Sequence, residues 1–102
     1  MKDIYAWSNT ELVKALGRRF KTYRIKCRMT QKEVAEQSGI SVPTIRSFEN
    51  GRSASVSLLV VVALLRAIGQ LGCFDSLLPE IPESPKDVFN GQSLPKRVRH
   101  GK

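Results

Sequence analysis

Residues 31–51, QKEVAEQSGISVPTIRSFENG, decide how this chain folds. The stretch reads as two short helices around a tight turn. Thr30 is a good N-cap for a first helix that starts at Gln31. Val34 and Ala35 face inward, and Ala35 is small enough to let another helix approach closely. Gly39 sits in the turn, where a positive φ is cheap for glycine. Ser41 caps the second helix. Pro43 is tolerated in its first turn, because no intrahelical donor is needed there. Ile45 and Phe48 face the first helix, and Gly51 supplies the stop.

This order of alanine, glycine and isoleucine is that of a helix-turn-helix, a DNA-reading motif. An ordinary helical hairpin would not need it. Residues from Leu16 to Ile68 resemble the lambda-repressor/Cro-like helix-turn-helix family, often called the Xre family. Gln31, Ala35, Gly39, Ile45 and the Phe48-Glu49-Asn50-Gly51 end carry that resemblance. A narrower one extends through Leu78. LGRRFKTYRIKCRMTQKEVAEQSGIS and SVSLLVVVALLRAIGQLGCFDSLLPE look like the HipB-type regulators, which are encoded beside HipA-like kinase toxins. The resemblance implies an all-α fold: a compact five-helix lambda-repressor-like domain with an extended C-terminal tail.

The charge of this 102-residue chain is unevenly placed. Its formal net charge is +8. Residues 11–28 carry seven Lys/Arg against the single acid Glu11, whereas residues 29–78 hold four of each sign. A basic helix beside a helix-turn-helix suggests phosphate contacts. The bland alternative is a solvated face. Cys27 and Cys73 lie far apart, and His100 is the only histidine, so no zinc spacing exists. Both cysteines read as reduced small hydrophobes. No cofactor or metal is expected. The chain shows no signal-peptide pattern, and the run LLVVVALL is too short to span a bilayer. The expected location is the bacterial cytoplasm, on the nucleoid when bound to DNA.

Residues 1–9 read as an arm whose Ile4, Tyr5 and Trp7 pack on the domain. Asn9 or Thr10 is the expected cap of helix one, which runs to about Arg28 with Glu11 in its first turn. Leu12, Leu16, Phe20, Tyr23 and Cys27 recur at helical spacing and read as its buried face. Arg24 intrudes near that face, four residues after Phe20. Glu49 intrudes likewise near the inward face of the second motif helix, four residues after Ile45. A charge on an inner face needs a partner, so the two are expected to form a structural ion pair. The family resemblance implies the same pair.

Ser57 is expected to cap a fourth helix from Leu58 to Ile68. Only Arg66 interrupts its apolar run, and a helix without a polar face must be covered on more than one side. A fifth short helix, Leu71 to Leu78, follows with Asp75 or Ser76 as cap. Leu58, Val61, Leu65, Ile68, Phe74 and Leu77 are the expected core and homodimer residues. Residues 10–78 thus form the DNA-binding and dimerisation domain, and residues 79–102 a tail. The tail holds four of the five prolines, one apolar pair (Val88, Phe89) and a basic end of Lys96, Arg97, Arg99 and Lys102.

The N-terminal part of the second motif helix is the part that enters a major groove. Its outward residues are Val42, Pro43, Thr44, Arg46 and Ser47. Thr44 and Ser47 can bond base edges or phosphates. Val42 and Pro43 offer apolar surface to a thymine methyl, and Arg46 can take guanine or a phosphate. The resemblance supports base contact most at Val42, Pro43 and Ser47. It also places Gln31 on a phosphate. The family's best-known members carry amides where this chain has Val42 and Pro43, so adenine readout does not carry over. Arg19, Lys32, Asn50 and Arg52 are further candidate phosphate contacts.

No acid, base and nucleophile cluster on one element, and no Gly-rich phosphate loop is present, so an enzyme is not expected. The leading expectation is a dimeric, sequence-specific repressor on double-stranded operator DNA. By resemblance it would repress its own operon and associate with a HipA-like kinase. Two alternatives stay open: an interaction module that mainly neutralises the kinase, and a prophage or general Xre-type repressor without a toxin partner.

Overall fold

A computed structural model describes residues 3–82. Its helices are α1 (Asn9–Lys26), α2 (Gln31–Ser38), α3 (Val42–Asn50), α4 (Leu58–Ala67) and α5 (Cys73–Leu77), after a single 3-10 turn at Ile4–Ala6. The described residues contain no strand. Two capping boxes start α1 and α2. The Ser8 hydroxyl accepts from the Glu11 N–H while the Glu11 carboxylate accepts from the Ser8 N–H. Thr30 and Glu33 repeat the arrangement at α2. Each box satisfies two donors that a helix start otherwise leaves unmade. Ser8 therefore caps α1, not Asn9 or Thr10.

The core is one cluster: Phe20 of α1, Val34 of α2, Ile45 and Phe48 of α3, and Leu64 with Ile68 at the end of α4. The Phe20 and Phe48 rings meet at 5.8 Å between centroids, tilted by 42°. Helix α1 packs on α3, and α2 packs on both α3 and α4.

Helix α1 buries a different line from the one its apolar spacing predicts. Gly17, Phe20 and Arg24 are its buried residues. Leu16, Tyr23 and Cys27 are exposed, on one flank. The cause is Gly17. A Cβ there would overlap the Phe48 carbonyl oxygen and sit 2.8 Å from its carbon. Helix α1 therefore meets the α3 backbone at glycine, and the contact turns its face by part of a turn. Apolar periodicity gives glycine no weight, so it cannot sense such a contact.

Other expectations shift as well. The helical part of α1 stops at Lys26, and Arg28 takes a left-handed conformation, φ 59°. Tyr5 is 92% exposed and Ile4 is also exposed, so among the arm's described large apolar residues only Trp7 is half-buried. Helix α5 begins at Cys73 rather than Leu71. Its N-cap is Gly72, with no side-chain cap from Asp75 or Ser76. Cys73 is exposed, not packed among apolar neighbours. In this single chain Ile68 is core and Val61 and Leu65 are half-buried, whereas Leu58, Phe74 and Leu77 are exposed. Val88, Phe89 and the basic end lie outside the described residues.

Gly17→Ala separates the two effects at this site. Helix propensity alone favours alanine by about 1 kcal/mol. The clash with Phe48 dominates, and we expect net destabilisation of about 1–3 kcal/mol, read as a lower urea midpoint. A midpoint that rises would show that α1 and α3 are further apart.

Candidate nucleic-acid interface

Helix α3 is held from behind and open in front. Ile45, Phe48 and Glu49 are its buried residues, and Pro43, Thr44, Arg46 and Asn50 are exposed. The left-handed glycines Gly39 (φ 77°) and Gly51 (φ 69°) end α2 and α3. Between them the chain turns quickly enough for α2 and α3 to pack. Ser41 caps α3: its hydroxyl accepts from the Thr44 N–H at 3.3 Å and lies 2.9 Å from the Thr44 hydroxyl. Thr44 is thereby oriented at the helix start.

The rear attachment is a buried polar network. Arg24 Nε donates to Glu49 Oε2 at 2.6 Å, and Nη2 donates to Oε1 at 2.9 Å. Arg24 Nη1 donates to the Met29 carbonyl at 2.8 Å. Gln31 Nε2 donates to Glu49 Oε1 at 3.0 Å. Glu49 is only 2% exposed. Its hydrogen bond with Glu49 holds the Arg24 guanidinium above the ordinary arginine pKa, against the opposing effect of burial. Arg24 is therefore charged at every working pH. Four pieces of backbone are tied together: α1, the segment after it, the first residue of α2, and α3. Among the described residues, no buried side-chain nitrogen or oxygen lacks a partner.

Gln31 therefore has a structural task beside any outward one. One of its amide donors serves Glu49, which fixes the orientation of the side chain. The start of α2 also leaves the N–H groups of Gln31 and Lys32 without intrahelical acceptors. Lys32, Arg46, Asn50 and Arg52 are exposed, and Val42 and Ser47 are half-buried. Arg19 is not brought to α3. It lies two residues after buried Gly17, about 200° around the helix, on the outer face of α1.

Residues not expected from the sequence stand beside α3 instead. Ser53 and Ser55 of the α3–α4 loop line a shallow groove with Pro43, Thr44 and Ser47. The Ser55 N–H donates to the Ser53 hydroxyl at 3.1 Å and stiffens that loop. Arg18 and Lys14 flank the C-terminal cap of α3. A Cβ at Gly51 would lie 3.5 Å from the Lys14 Cβ and Cγ and 3.6 Å from the Arg18 Nη1. The loop hydroxyls carry no sequence signal. The Lys14–Arg18 spacing of four residues is one, but only once the buried line of α1 is known.

A family model described as a helix-turn-helix domain matches residues 15–73, more than half of the chain. The chain belongs to the helix-turn-helix domain family. No curated protein and no solved structure matches it. In this helix-turn-helix protein α2 and α3 are the motif helices, and the match runs from α1 into the start of α5. A DNA-binding module of this kind makes duplex DNA the partner that the family supports. Among the described residues no helix is long and apolar enough to cross a membrane.

The buried pair is testable by a double-mutant cycle. Arg24→Met or Glu49→Leu alone leaves a charge buried without its partner, and each is expected to cost about 3–5 kcal/mol. Arg24→Met with Glu49→Leu removes both charges and should recover much of that loss. Thermal melts that show additive losses would contradict the clamp.

Proposed function

We propose that this helix-turn-helix protein is a sequence-specific, dimeric transcriptional repressor that reads double-stranded operator DNA with α3. The observation that carries the reading is the asymmetry of α3. Its rear is locked to α1 by Arg24 and Glu49, while Pro43, Thr44, Arg46 and Asn50 face solvent. Buried residues hold the helix, and the exposed ones have no role in the core. Val42, Pro43 and Ser47 are the proposed base contacts, with Thr44 and Arg46 contacting bases or phosphates. Gln31, Lys32, Asn50 and Arg52 are the proposed backbone contacts. Arg19, on the outer face of α1, is not among them.

Dimerisation is supported by apolar surface that one chain leaves open. Leu59 is 80% exposed and Leu78 86%, with Phe74, Leu77 and Ile81 also exposed on or after α5. A second copy covering this surface would set two α3 helices in successive major grooves, about 34 Å apart. Association with a HipA-like kinase, and repression of the operon that encodes it, rest on the sequence resemblance that extends through Leu78. Recovery of such a kinase with the tagged chain, co-expressed with its neighbouring genes, is the direct test of that part.

Two substitutions separate reading from assembly. Ser47→Glu puts a carboxylate on the reading face, and DNA binding is expected to vanish while mass and melting stay unchanged. Leu77→Lys puts a charge on an exposed apolar residue, and sedimentation is expected to show half the wild-type mass with the fold retained. DNA binding that survives Ser47→Glu would displace α3 as the reader. An unchanged mass for Leu77→Lys would move the dimer contact off α5.

A further inference from the structure

The positive charge of α1 is arranged as well as abundant, and the motif does not account for it. Lys14, Arg18 and Lys21 follow one another at four and three residues, so they share one flank of the helix. That flank adjoins the reading face. The Lys14 methylenes and the Arg18 guanidinium stand against Gly51, with Asn50 and Arg52 on either side of that glycine. Arg18 and Lys21 are exposed, and Lys14 is half-buried. A lysine can pack its methylenes while its ammonium stays in water. Arm and α1 also form an open cleft, lined by Trp7, Lys14 and Arg18 together with Asp3 and Glu11. The Asp3 and Glu11 carboxylates accept from backbone N–H groups, of Tyr5 and Ser8 respectively. They still repel an anion from their end of the cleft.

We infer that Lys14, Arg18 and Lys21 form a second phosphate track, which holds the DNA backbone where it leaves α3. The inference rests on the DNA-binding reading above and extends its footprint from the motif to α1. From Lys14 to Lys21 the helix rises about 10 Å. Successive phosphates of one strand advance about 3.4 Å along the duplex axis and lie further apart than that along the strand itself, so that span accommodates neighbouring phosphates. The ligand class is the sugar-phosphate backbone of duplex DNA, taken without regard to sequence. The track thus adds affinity and orientation, while α3 supplies discrimination.

Salt dependence tests the track and needs no knowledge of the operator. The full chain is titrated against a labelled duplex of arbitrary sequence, about three helical turns long, from about 50 to 200 mM salt. Each phosphate that a cation no longer neutralises lowers the log–log slope by about 0.9, so Lys14→Gln with Lys21→Gln is expected to lower it by about 1.8. Adding Arg18→Gln should remove a further step of the same size. Lys26→Gln, on the outer face of α1, serves as the control and should leave the slope in place. Lower melting with an unchanged slope in the Lys14/Lys21 variant would overturn the track and leave these side chains as supports of the α3 terminus. An equal fall in slope with Lys26→Gln would also overturn it, in favour of diffuse charge. No binding by the wild-type chain, even at low salt, would overturn the DNA reading itself.

Discussion

The hydrogen-bonded pair of Arg24 and Glu49 is the constraint on which the reading helix depends. Two charges taken out of water are costly, and their attraction compensates only when the remaining hydrogen-bonding capacity is also met. Here it is met, by the Met29 carbonyl and the Gln31 amide. The network therefore contributes position more than stability. A greasy contact between α1 and α3 would tolerate a slide of the helices. A two-point guanidinium–carboxylate contact, tied also to Gln31 at the start of α2, does not. The three helices that must present one face to DNA share a single polar junction.

Close approach and capping support that junction. Gly17 lets the α1 backbone reach α3 without an intervening side chain, which brings Arg24 within range of Glu49 two turns later. Phe20 and Phe48 fill the space between those two points. At the other side of α3, Ser41 and Gly51 fix its ends, so the helix has a defined start at the residues proposed to meet bases. Val42 and Pro43, among the proposed base contacts, offer apolar surface, and the groove beside α3 is lined by Pro43, Thr44, Ser47, Ser53 and Ser55. Such a face favours apolar contact with thymine methyls and adaptable hydrogen bonding over bidentate readout.

Much of the fold is legible in the sequence because its signals are local. Thr30, Gly39, Ser41, Pro43 and Gly51 act on their own neighbours, and α2 and α3 can be placed from them to within a residue. The Arg24–Glu49 contact is non-local but still readable, because a charge at an apolar phase announces that it has a partner. The face of α1 is not readable in that way. Leu12, Leu16, Tyr23 and Cys27 carry the apolar spacing, but Gly17 decides the packing by having no side chain. The same error hides the basic flank, since Lys14, Arg18 and Lys21 align with α3 only after α1 is rotated onto Gly17. Ser53 and Ser55 are invisible for another reason. A polar loop reads as solvent-facing until its position beside Ser47 is known.

The face proposed to meet the duplex is built from α3 and the start of α2. Amide chemical-shift mapping of the labelled chain, titrated with a duplex that the protein itself selects from random sequence, tests it most directly. The predicted result is shifts concentrated at Gln31, Lys32, Thr44, Arg46, Ser47 and Asn50, with α4 and α5 little changed. Shifts confined to α4 and α5, with the amides of α3 unmoved, would place the DNA contact elsewhere than on α3.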